Sequence, residues 1–573
     1  DRGNRIMDAA LRSRAWMQAA LGRGLEQSPE LHSLINAMVL GAGDETPDQI
    51  EEQFQQTGTL HLFAVSGLNV AIVAQLLWIV LLLLRLPRKW AIAVIIPGLF
   101  FYAAVTGLNT SSVRAAIMAA VLLGGFFFER RVLAVNSLAA AAVLILCWDT
   151  NQLFSTGFQL SFAVVIAIFL LAEPIYRRVI KWFAPDPFLP ESLLSVAQRV
   201  WQRAWGAIAV GASVSLGAWL GSLPLILPYF YLVTPIALVA NLVVVPLAFA
   251  VLALGMTSLL LTPFAPWLAI AFNNANWYVA AAILWSVGLF ARAPAGHIYL
   301  ERPRWPSGAF AEVTVLDLGP GGAVHVRNRG RDWLIDCGSE GSYKRIVRAY
   351  LRSRGINRLD GLILTHGDAA HIGAAPTVLR VFRPREIVDT AAPDLSRTHR
   401  AFIAQLSELQ ITPRLCAAPD EMRLSRDVVA GVLFPPRGFK AKTADDQAMV
   451  LQLRVRDQHR ILLSSDNGRW TEAMLLHREA DLRSDILIKG QHHAEQSGSP
   501  KFLDRVRPQA IVASSVEFPA SERVSDEWAA DVAQRGVRLF RQDETGAVTM
   551  RFFQNRWEAI PYLGGETFRS VRR

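Results

Sequence analysis

Histidine and aspartate residues follow an apolar strand predicted in the C-terminal half of the chain. In the run GLILTHGDAAH, the strand at 361–364 leads directly into His366, Asp368 and His371. This HxD…H spacing at a strand end supplies imidazole nitrogens and carboxylate oxygens, which are suitable ligands for zinc or manganese. The sequence therefore predicts a divalent metal site at this position.

Two further predicted strands end in residues of the same types. RILLSSDNG (460–468) ends in Asp466, and DILIKGQHH (485–493) ends in His492 and His493. A single strand end of this kind more often carries no metal ligand, whereas three together are a specific signal for a metal site. Because two metal ions bridged by a carboxylate can hold a hydroxide and clamp a phosphodiester in line, the pattern indicates phosphoester hydrolysis.

The elements that must position these residues form a separate soluble domain. A linker with Pro303 and Pro306 precedes it, and beyond the linker the hydropathy period changes to two, which is typical of strands. Strands are predicted at 311–319, 323–330 and 332–338, and a helix at 343–355.

An apolar block from about His61 to Phe290 precedes this domain. A membrane span needs about 20 mostly apolar residues, and helix is the only plausible backbone for repeated spans of this kind. Eight spans are predicted, at 61–84, 90–108, 106–128, 133–148, 155–172, 205–227, 234–261 and 266–290.

The basic loops of the block predict its orientation. With eight spans, the loops at 85–89, 129–131 and 174–204 all lie on one side, which is the cytoplasm by the positive-inside rule. The tail after Arg292 then faces outward. If the stretch at 234–261 is instead two broken helices, the tail faces the cytoplasm.

Polar side chains interrupt the apolar spans. Arg114 is the most costly of them, because an ionised group at mid-bilayer costs about 2.5 kcal/mol or more, unless the side chain snorkels from a helix end. The amides and hydroxyls could line a hydrated path, or they could join helices by hydrogen bonds. The candidates for a channel lining are Ser66, Asn69, Asn109, Arg114, Gln159 and Asn241.

Composition restricts the remaining possibilities. The net charge of +10 fits an anionic partner, or only cytoplasmic basic loops. The three cysteines lack CxxC spacing, which excludes a disulfide framework and a cysteine metal knuckle. The sequence has no GxxxxGK[ST] loop, so any ATPase that drives transport would be a partner.

The tail looks like the metallo-β-lactamase fold, and the whole chain resembles the ComEC family of competence proteins. The membrane motifs that carry the resemblance are TGTLHLFAVSGLNV, TGLNTSSVRAAIMA, TGFQLSF and SLGAWLGSLPL. The resulting fold class is a polytopic α-helical membrane domain followed by an α/β (αββα) domain. The predicted divisions are an amphipathic and polar helical segment at 1–60, the membrane domain at 61–292, a linker at 293–309 and the metallo-β-lactamase-like domain at 310–573.

The resemblance implies a multi-pass inner-membrane channel that admits single-stranded DNA in natural transformation. The metallo-β-lactamase-like domain, on the outer or periplasmic side, would degrade the other strand. The implied partners are double-stranded DNA at the outer face, single-stranded DNA in the channel, membrane lipid, a DNA receptor and a cytoplasmic ATPase.

The resemblance also implies roles for single residues. His366 and Asp368 would hold one metal ion and His371 a second, with Asp466 bridging the two. The site would be completed by His492 or His493 and supported by Asp336 and Ser497.

The chain departs from the family pattern where the second ion would bind. The second acid of the HxDxDH motif is Ala370, and the acid of a GQGD turn is Gly322; in the membrane domain the histidine of SGLHV is Asn69. Even losses around a metal ligand typically cost about 10–100-fold in affinity or activity. The alternatives are therefore an active nuclease, a domain with one ion or none that binds DNA or is structural, and a membrane metallohydrolase acting on a lipid or small phosphoester.

Overall fold

A computed structural model of the chain contains two compact units, Asp1–Ile298 and Tyr299–Arg573. Each unit is described by itself below. The structure describes residues 5–41, 46–63, 67–108, 110–128, 133–183, 194–301, 308–392, 396–440, 443–478, 480–492, 497–516, 518 and 523–570.

The first unit is helical, and a helix lies at each of the eight predicted spans. Before them come α1 (Arg5–Gly22), α2 (Pro29–Leu40) and α3 (Asp48–Gln56). The helices at the spans are α4 (Gly67–Leu83), α5 (Arg88–Val105), α6 (Thr110–Phe127), α7 (Ala134–Trp148), α8 (Thr156–Val179), α9 (Val196–Phe230), α10 (Ala237–Leu261) and α11 (Pro266–Ala291). A two-residue strand, β1 (Leu232–Val233), lies between α9 and α10.

Length and apolar composition allow four of these helical stretches to cross a membrane. They are Arg88–Val105, Thr156–Trp182, Val196–Phe230 and Ala237–Leu261, and shorter apolar helices lie at Asn69–Leu83, Ser111–Phe127 and Ala134–Trp148. α10 is continuous through Pro246, so the stretch predicted at 234–261 is one helix and not two broken ones.

The N-terminal helices pack inside this first unit. α2 is buried over most of its length, because its sequence PELHSLINAMVL is apolar on nearly every side. Leu34 and Val39 of α2 share one apolar cluster with Val251 of α10 and Ile283 of α11. The first 60 residues therefore contribute to the core of the helical unit.

The second unit contains two β-sheets. A two-residue strand, β2 (Ile298–Tyr299), lies at the junction of the two units. The strands of the two sheets are β3 (Ala311–Val315), β4 (Val324–Asn328), β5 (Arg331–Ile335), β6 (Gly361–Ile363), β7 (Glu386–Thr390), β8 (Arg414–Cys416), β9 (Glu421–Arg423), β10 (Val428–Phe434), β11 (Val450–Val455), β12 (His459–Ser465), β13 (Ile486–Lys489), β14 (Ala510–Ala513), β15 (Arg538–Arg541), β16 (Val548–Phe552), β17 (Trp557–Pro561) and β18 (Phe568–Arg569). One sheet has the order β18-β17-β16-β3-β4-β5-β6-β7-β8, and the other has the order β15-β14-β13-β12-β11-β10-β9.

Helices cover the outer faces of the two sheets. They are α12 (Glu340–Ser342), a π-helical turn (Tyr343–Val347), α13 (Arg348–Ser353), α14 (Ala369–Ile372), α15 (Ala375–Phe382), α16 (Arg397–Glu408), α17 (Arg469–His477), α18 (Pro500–Val506), α19 (Asp526–Gln534) and α20 (Gln542–Thr545). The predicted helix at 343–355 corresponds to the π-helical turn followed by α13.

The apolar side chains separate into three layers, as a four-layer αββα domain requires. Ile363 and Leu453 belong to the core that draws on both sheets. On the outer faces, Leu362 of β6 packs in a cluster with helical residues, as does Leu487 of β13. The alternation of Leu362 and Ile363 follows from the period of two in a strand. The predicted αββα fold is confirmed.

Strand direction brings the predicted site residues together. β5, β6, β7 and β8 are parallel neighbours in one sheet, and β12, β13, β14 and β15 are parallel neighbours in the other. Parallel strands present their carboxyl ends at one edge of a sheet. The segments that follow β5, β6, β12 and β13 carry the candidate residues.

Replacement of a buried leucine between the sheets should destabilise the second unit. Leu453→Ala removes a fully buried side chain from the inter-sheet core, and such a change costs about 2–5 kcal/mol. Denaturant unfolding of a purified piece spanning 299–573 measures this loss. Leu415→Ala is the matched control, since Leu415 is 56% exposed; an equal loss in both variants would contradict the described core.

Candidate metal centre

Asp336 anchors the candidate site directly after β5. Its backbone is left-handed, with φ of 56°, a conformation that aspartate tolerates better than most residues. The Asp336 amide donates to the carbonyl of Ile363, at 2.8 Å. Its carboxylate accepts the Thr365 amide at 2.8 Å and the Thr365 hydroxyl at 2.6 Å. These bonds join the ends of β5 and β6.

The tautomer of His366 follows from this network. Because the Thr365 hydroxyl donates to Asp336, its oxygen accepts from Nδ1 of His366, which lies 2.9 Å away. The lone pair of the imidazole is then on Nε2. That atom is buried and has no hydrogen-bond partner among the described residues. His366 therefore presents a buried, unpaired nitrogen of the kind that ligates a metal ion.

His371 lies between two carboxylates. Its Nδ1 is 2.9 Å from Oδ2 of Asp336, and its Nε2 is 2.9 Å from Oδ2 of Asp466. A carboxylate that holds one ring nitrogen fixes the orientation of an imidazole and leaves the other nitrogen for a metal. The contacts of Asp336 thus fit the supporting role predicted for it, and those of His371 and Asp466 fit ligands.

The pKa values of His366, His371 and Asp466 follow from their burial and from these contacts. Burial lowers the pKa of His366, and the charge of His371 lowers it further. Burial would also lower the pKa of His371, but Asp466 and Asp336 raise it well above its usual value. Burial raises the pKa of Asp466, and the neighbouring His371 more than offsets this, so the net shift is downward. The two carboxylates therefore favour the protonated form of His371.

Asp445 is a candidate ligand that the sequence analysis missed. Donor atoms of His366, Asp368 and Asp445 all lie within 4.8 Å of one another. Asp445 is in the 3₁₀ turn Asp445–Gln447 that precedes β11, and this loop is held to β6 by the bond from the Met449 amide to the Thr365 carbonyl, at 2.9 Å. Two adjacent acids before an apolar strand, in the run ADDQAMVLQL, were the available signal.

The remaining predicted residues lie at the end of β13 and beyond it. His492 is buried, and its Nε2 is 3.6 Å from Oδ1 of Asp446. His493 lies outside the described residues, so its predicted role stays a prediction. Ser497 is buried, and its Oγ has no hydrogen-bond partner among the described residues.

Lys489 is a second buried group that the sequence analysis did not single out. It is 1% exposed, and its Nζ lies 4.7 Å from the ring centroid of Trp528, without a hydrogen-bond partner in the described parts of the chain. Burial lowers the pKa of Lys489 to about 8, an effect that Glu472 and Asp466 partly offset. Lys489 therefore brings a positive charge close to Asp466 of the candidate centre.

Gly490, the next residue, allows β12 and β13 to approach at the site. A Cβ atom at this position would lie 1.7 Å from Oδ1 of Asp466. Any other residue would have to displace the carboxylate, so the glycine is needed for the observed position of Asp466.

The described residues fit a divalent ion on the side of His366. Tetrahedral zinc, with bonds of about 2.0–2.2 Å, holds its donors about 3.4 Å apart, and the donor atoms of His366, Asp368 and Asp445 all lie within 4.8 Å of one another. One imidazole and two carboxylates suit zinc or manganese. The position of the second ion is poorer in donors. Ala370 and Gly322 replace the expected acids, and a Cβ at Gly321 would lie 2.0 Å from the carbonyl oxygen of Ala370.

Two of the six predicted channel residues in the first unit form hydrogen bonds within it. Asn69 donates to the carbonyl of Met38 at 2.9 Å. Gln159 donates to the carbonyl of Leu153 at 3.0 Å and accepts from the Tyr229 hydroxyl at 3.1 Å. These contacts favour the alternative in which polar groups join helices. The predicted candidates Ser66 and Asn109 lie outside the described residues.

Arg114 and Asn241 differ from these bonded residues. Arg114 is 4% exposed, and its Nε and Nη1 atoms have no hydrogen-bond partner among the described residues. Oδ1 of Asn241 is also buried without a partner there. These two residues remain the strongest candidates for a polar path.

Family comparisons agree with both units. A family model described as competence protein matches residues 38–316, and a model described as metallo-β-lactamase superfamily matches residues 316–433. The helical unit is therefore similar to competence proteins, and the second unit to the metallo-β-lactamase superfamily. These matches support a membrane protein with a role in DNA uptake, and the metallo-β-lactamase fold implies the use of a divalent metal.

Individual relatives extend the match over most of the chain. ComE operon protein 3 of Bacillus subtilis (strain 168) is 23% identical over 91% of this chain and 72% of the relative. Competence protein ComA of Neisseria gonorrhoeae is 28% identical over 94% of this chain and 76% of the relative. Among solved structures, the metallo-β-lactamase fold protein YhfI of Bacillus subtilis covers 40% of this chain and 95% of its own, with 13% identity and a TM-score of 0.28.

Removal of the Asp445 carboxylate should weaken metal binding by the second unit. We expect Asp445→Ala to lower the affinity for zinc or manganese by at least about 10–100-fold, since even losses around a ligand have this effect. Calorimetric titration of the 299–573 piece measures the affinity. Asp457→Ala, in an exposed turn, should bind the ion like the wild type; if Asp445→Ala does so as well, Asp445 is not a ligand.

Proposed function

We propose that the protein is an inner-membrane channel that passes one DNA strand in natural transformation. Its second unit would be a metal-dependent phosphodiesterase that degrades the other strand. The observation that supports the nuclease is the set formed by the buried His366 and the more exposed Asp368 and Asp445, next to the hydrogen-bonded His371 and Asp466.

The residues of the chain have distinct roles in this proposal. His366, Asp368 and Asp445 would hold a divalent ion, zinc or manganese, which would supply Lewis-acid stabilisation and a hydroxide nucleophile when bound. Asp336 orients His371 through Nδ1. When His371 is protonated, its Nε2 donates to Asp466 across the 2.9 Å contact. Lys489 would offset the negative charge of the acidic residues.

The residues near Ala370 support a second candidate function. In this alternative, the second unit only binds DNA or has a structural role. The second ion would have His371 and Asp466 as donors but neither expected acid. The tight packing of Gly321 on Ala370 fills part of the space beside them. A single ion held by His366, Asp368 and Asp445 does not depend on Ala370, and for this reason we favour the nuclease.

The channel is proposed from the first unit and the family. Arg114 offers buried N–H groups that could pair with phosphate oxygens. The basic loops support a position of the second unit on the outer side of the inner membrane, where double-stranded DNA and a receptor would meet it. A cytoplasmic ATPase would be a further partner, because the sequence has no nucleotide-binding loop.

Cleavage of DNA by the second unit should require His366. The purified 299–573 piece is expected to cut DNA with zinc or manganese, and EDTA should abolish the reaction. His366→Ala should lower the rate by about 100-fold or more, on the scale of losses around a metal site, whereas His477→Ala, at an exposed position, should not. Ala370→Asp should raise the rate by supplying the missing carboxylate.

The alternatives predict different results in this assay. Activity that appears only with Ala370→Asp would identify a decayed nuclease. A lack of activity in both forms would favour a binding or structural role, and cleavage of lipid head groups in place of DNA would favour a membrane metallohydrolase.

Arg114→Ala should lower DNA uptake without preventing membrane insertion, because it removes a buried cation that can face the phosphate backbone. Transformation frequency at matched protein level measures the effect. Arg114→Lys, which keeps the charge, should retain part of the uptake. Arg12→Ala, whose side chain is exposed in a surface ion pair, serves as the control; normal uptake by Arg114→Ala would remove Arg114 from the mechanism.

A further inference from the structure

An aromatic platform lies beside the candidate metal centre of the second unit. We define it as Phe434, Phe439 and Trp470. The ring centroids of Phe439 and Trp470 are 5.3 Å apart, with 32° between the planes. Phe434 is fully buried beneath them and meets Phe439 edge-on at 4.8 Å. Trp470 is nevertheless 45% exposed, so its ring is supported on one side and open to solvent.

The exposed Trp470 and the partly buried Phe439 lie on segments that are next to candidate metal ligands in the sequence. Trp470 is in the first turn of α17, which begins directly after the loop that holds Asp466. Phe439 precedes the 3₁₀ turn that begins with Asp445. The platform is therefore tied through two short segments to both parts of the centre.

Positive charge surrounds the platform. Arg437, Lys440 and Arg469 are exposed and lie next to the aromatic residues in the sequence. Arg437 forms an ion pair with Asp420 at 3.2 Å, and its side chain is 75% exposed, so this pair contributes little and a phosphate could compete with it. Asp445 of the candidate centre and its neighbour Asp446 carry negative charge that would repel a phosphate. A bound divalent cation would neutralise that charge.

We propose that this platform binds a base of single-stranded DNA by stacking on Trp470, while the flanking cations contact the phosphate backbone. Exposed aromatic rings within a positive groove are the usual means of binding single strands without sequence preference. A stacked base would position the adjacent phosphodiester at the candidate centre. This inference rests on the proposed function, because it assigns the strand as the ligand of the same site.

A bilayer surface is the other plausible occupant, since tryptophan and lysine also favour the membrane interface. The connection to the metal ligands favours the nucleic acid. A lipid contact gives no reason for the rings to lie on the two segments that lead to Asp445 and Asp466.

Binding of labelled oligothymidylate to the full chain in detergent, with EDTA present to prevent cleavage, tests the proposal. Trp470→Ala should weaken the affinity by about 5- to 150-fold, the loss expected for one stacked base. Trp470→Phe should retain most of the affinity. Tyr562→Ala removes an aromatic ring that is 83% exposed elsewhere on this unit and should have no effect.

Salt dependence separates stacking from a general structural defect. Lys440→Ala should reduce the slope of log affinity against log salt by about 0.7, as expected for one lost phosphate contact on a single strand. Trp470→Ala should leave that slope unchanged. In addition, an oligonucleotide carrying iodouracil should photo-cross-link to Trp470 or Phe439.

The outcomes distinguish this inference from the nuclease assignment. Binding that depends on Trp470, in a chain that cuts no DNA, supports the platform and contradicts the nuclease. Equal binding and cleavage by Trp470→Ala and the wild type overturn the platform alone. Photoreactive lipid that labels Trp470 in proteoliposomes, without any effect of Trp470→Ala on DNA binding, assigns this surface to the bilayer and overturns the proposal.

Discussion

The pair of hydrogen bonds made by His371 joins the two sheets of the second unit at the candidate centre. Asp336 follows β5 in the nine-stranded sheet, and Asp466 follows β12 in the seven-stranded sheet. The imidazole lies 2.9 Å from a carboxylate oxygen of each. Because carboxylates on either side of an imidazole favour its charged form, Asp336 and Asp466 raise the pKa of His371 and fix the orientation of its ring. The geometry of the remaining donors is built around it.

Close backbone approach is the second constraint on the centre. Gly490 leaves the space in which Asp466 lies, and Gly321 packs directly on the carbonyl of Ala370. The space at Gly490 leaves room for the Asp466 carboxylate. The packing of Gly321 reduces the space beside Ala370, where the expected acid is missing. The two halves of the centre therefore differ: the part around His366 has a third donor in Asp445, and the part around Ala370 lacks the expected acid.

The helical unit shows why polar residues in apolar helices cannot all be assigned to a channel. Asn69 bonds a carbonyl near the C-terminal end of α2, and Asn273 bonds the carbonyl of Ala20 and the hydroxyl of Ser258. Such amides satisfy backbone and side-chain groups that water cannot reach. Arg114 has buried donors without such partners among the described residues, and it is this difference that singles it out.

The sequence by itself determined the eight apolar helices and the strand-end positions of His366, Asp368, His371 and Asp466, and its resemblance to the metallo-β-lactamase fold implied the αββα domain. The helices and the strand-end positions are local features, because each depends on hydropathy period or on residues that follow one strand. Asp445, Lys489 and the platform around Trp470 were decided only by the tertiary structure. They come from segments that are distant in sequence and meet because parallel strands of two sheets end at one edge. The hydrogen bond from Asn69 to α2 could not be predicted either, because no local sequence pattern shows which carbonyl a side-chain amide will bond.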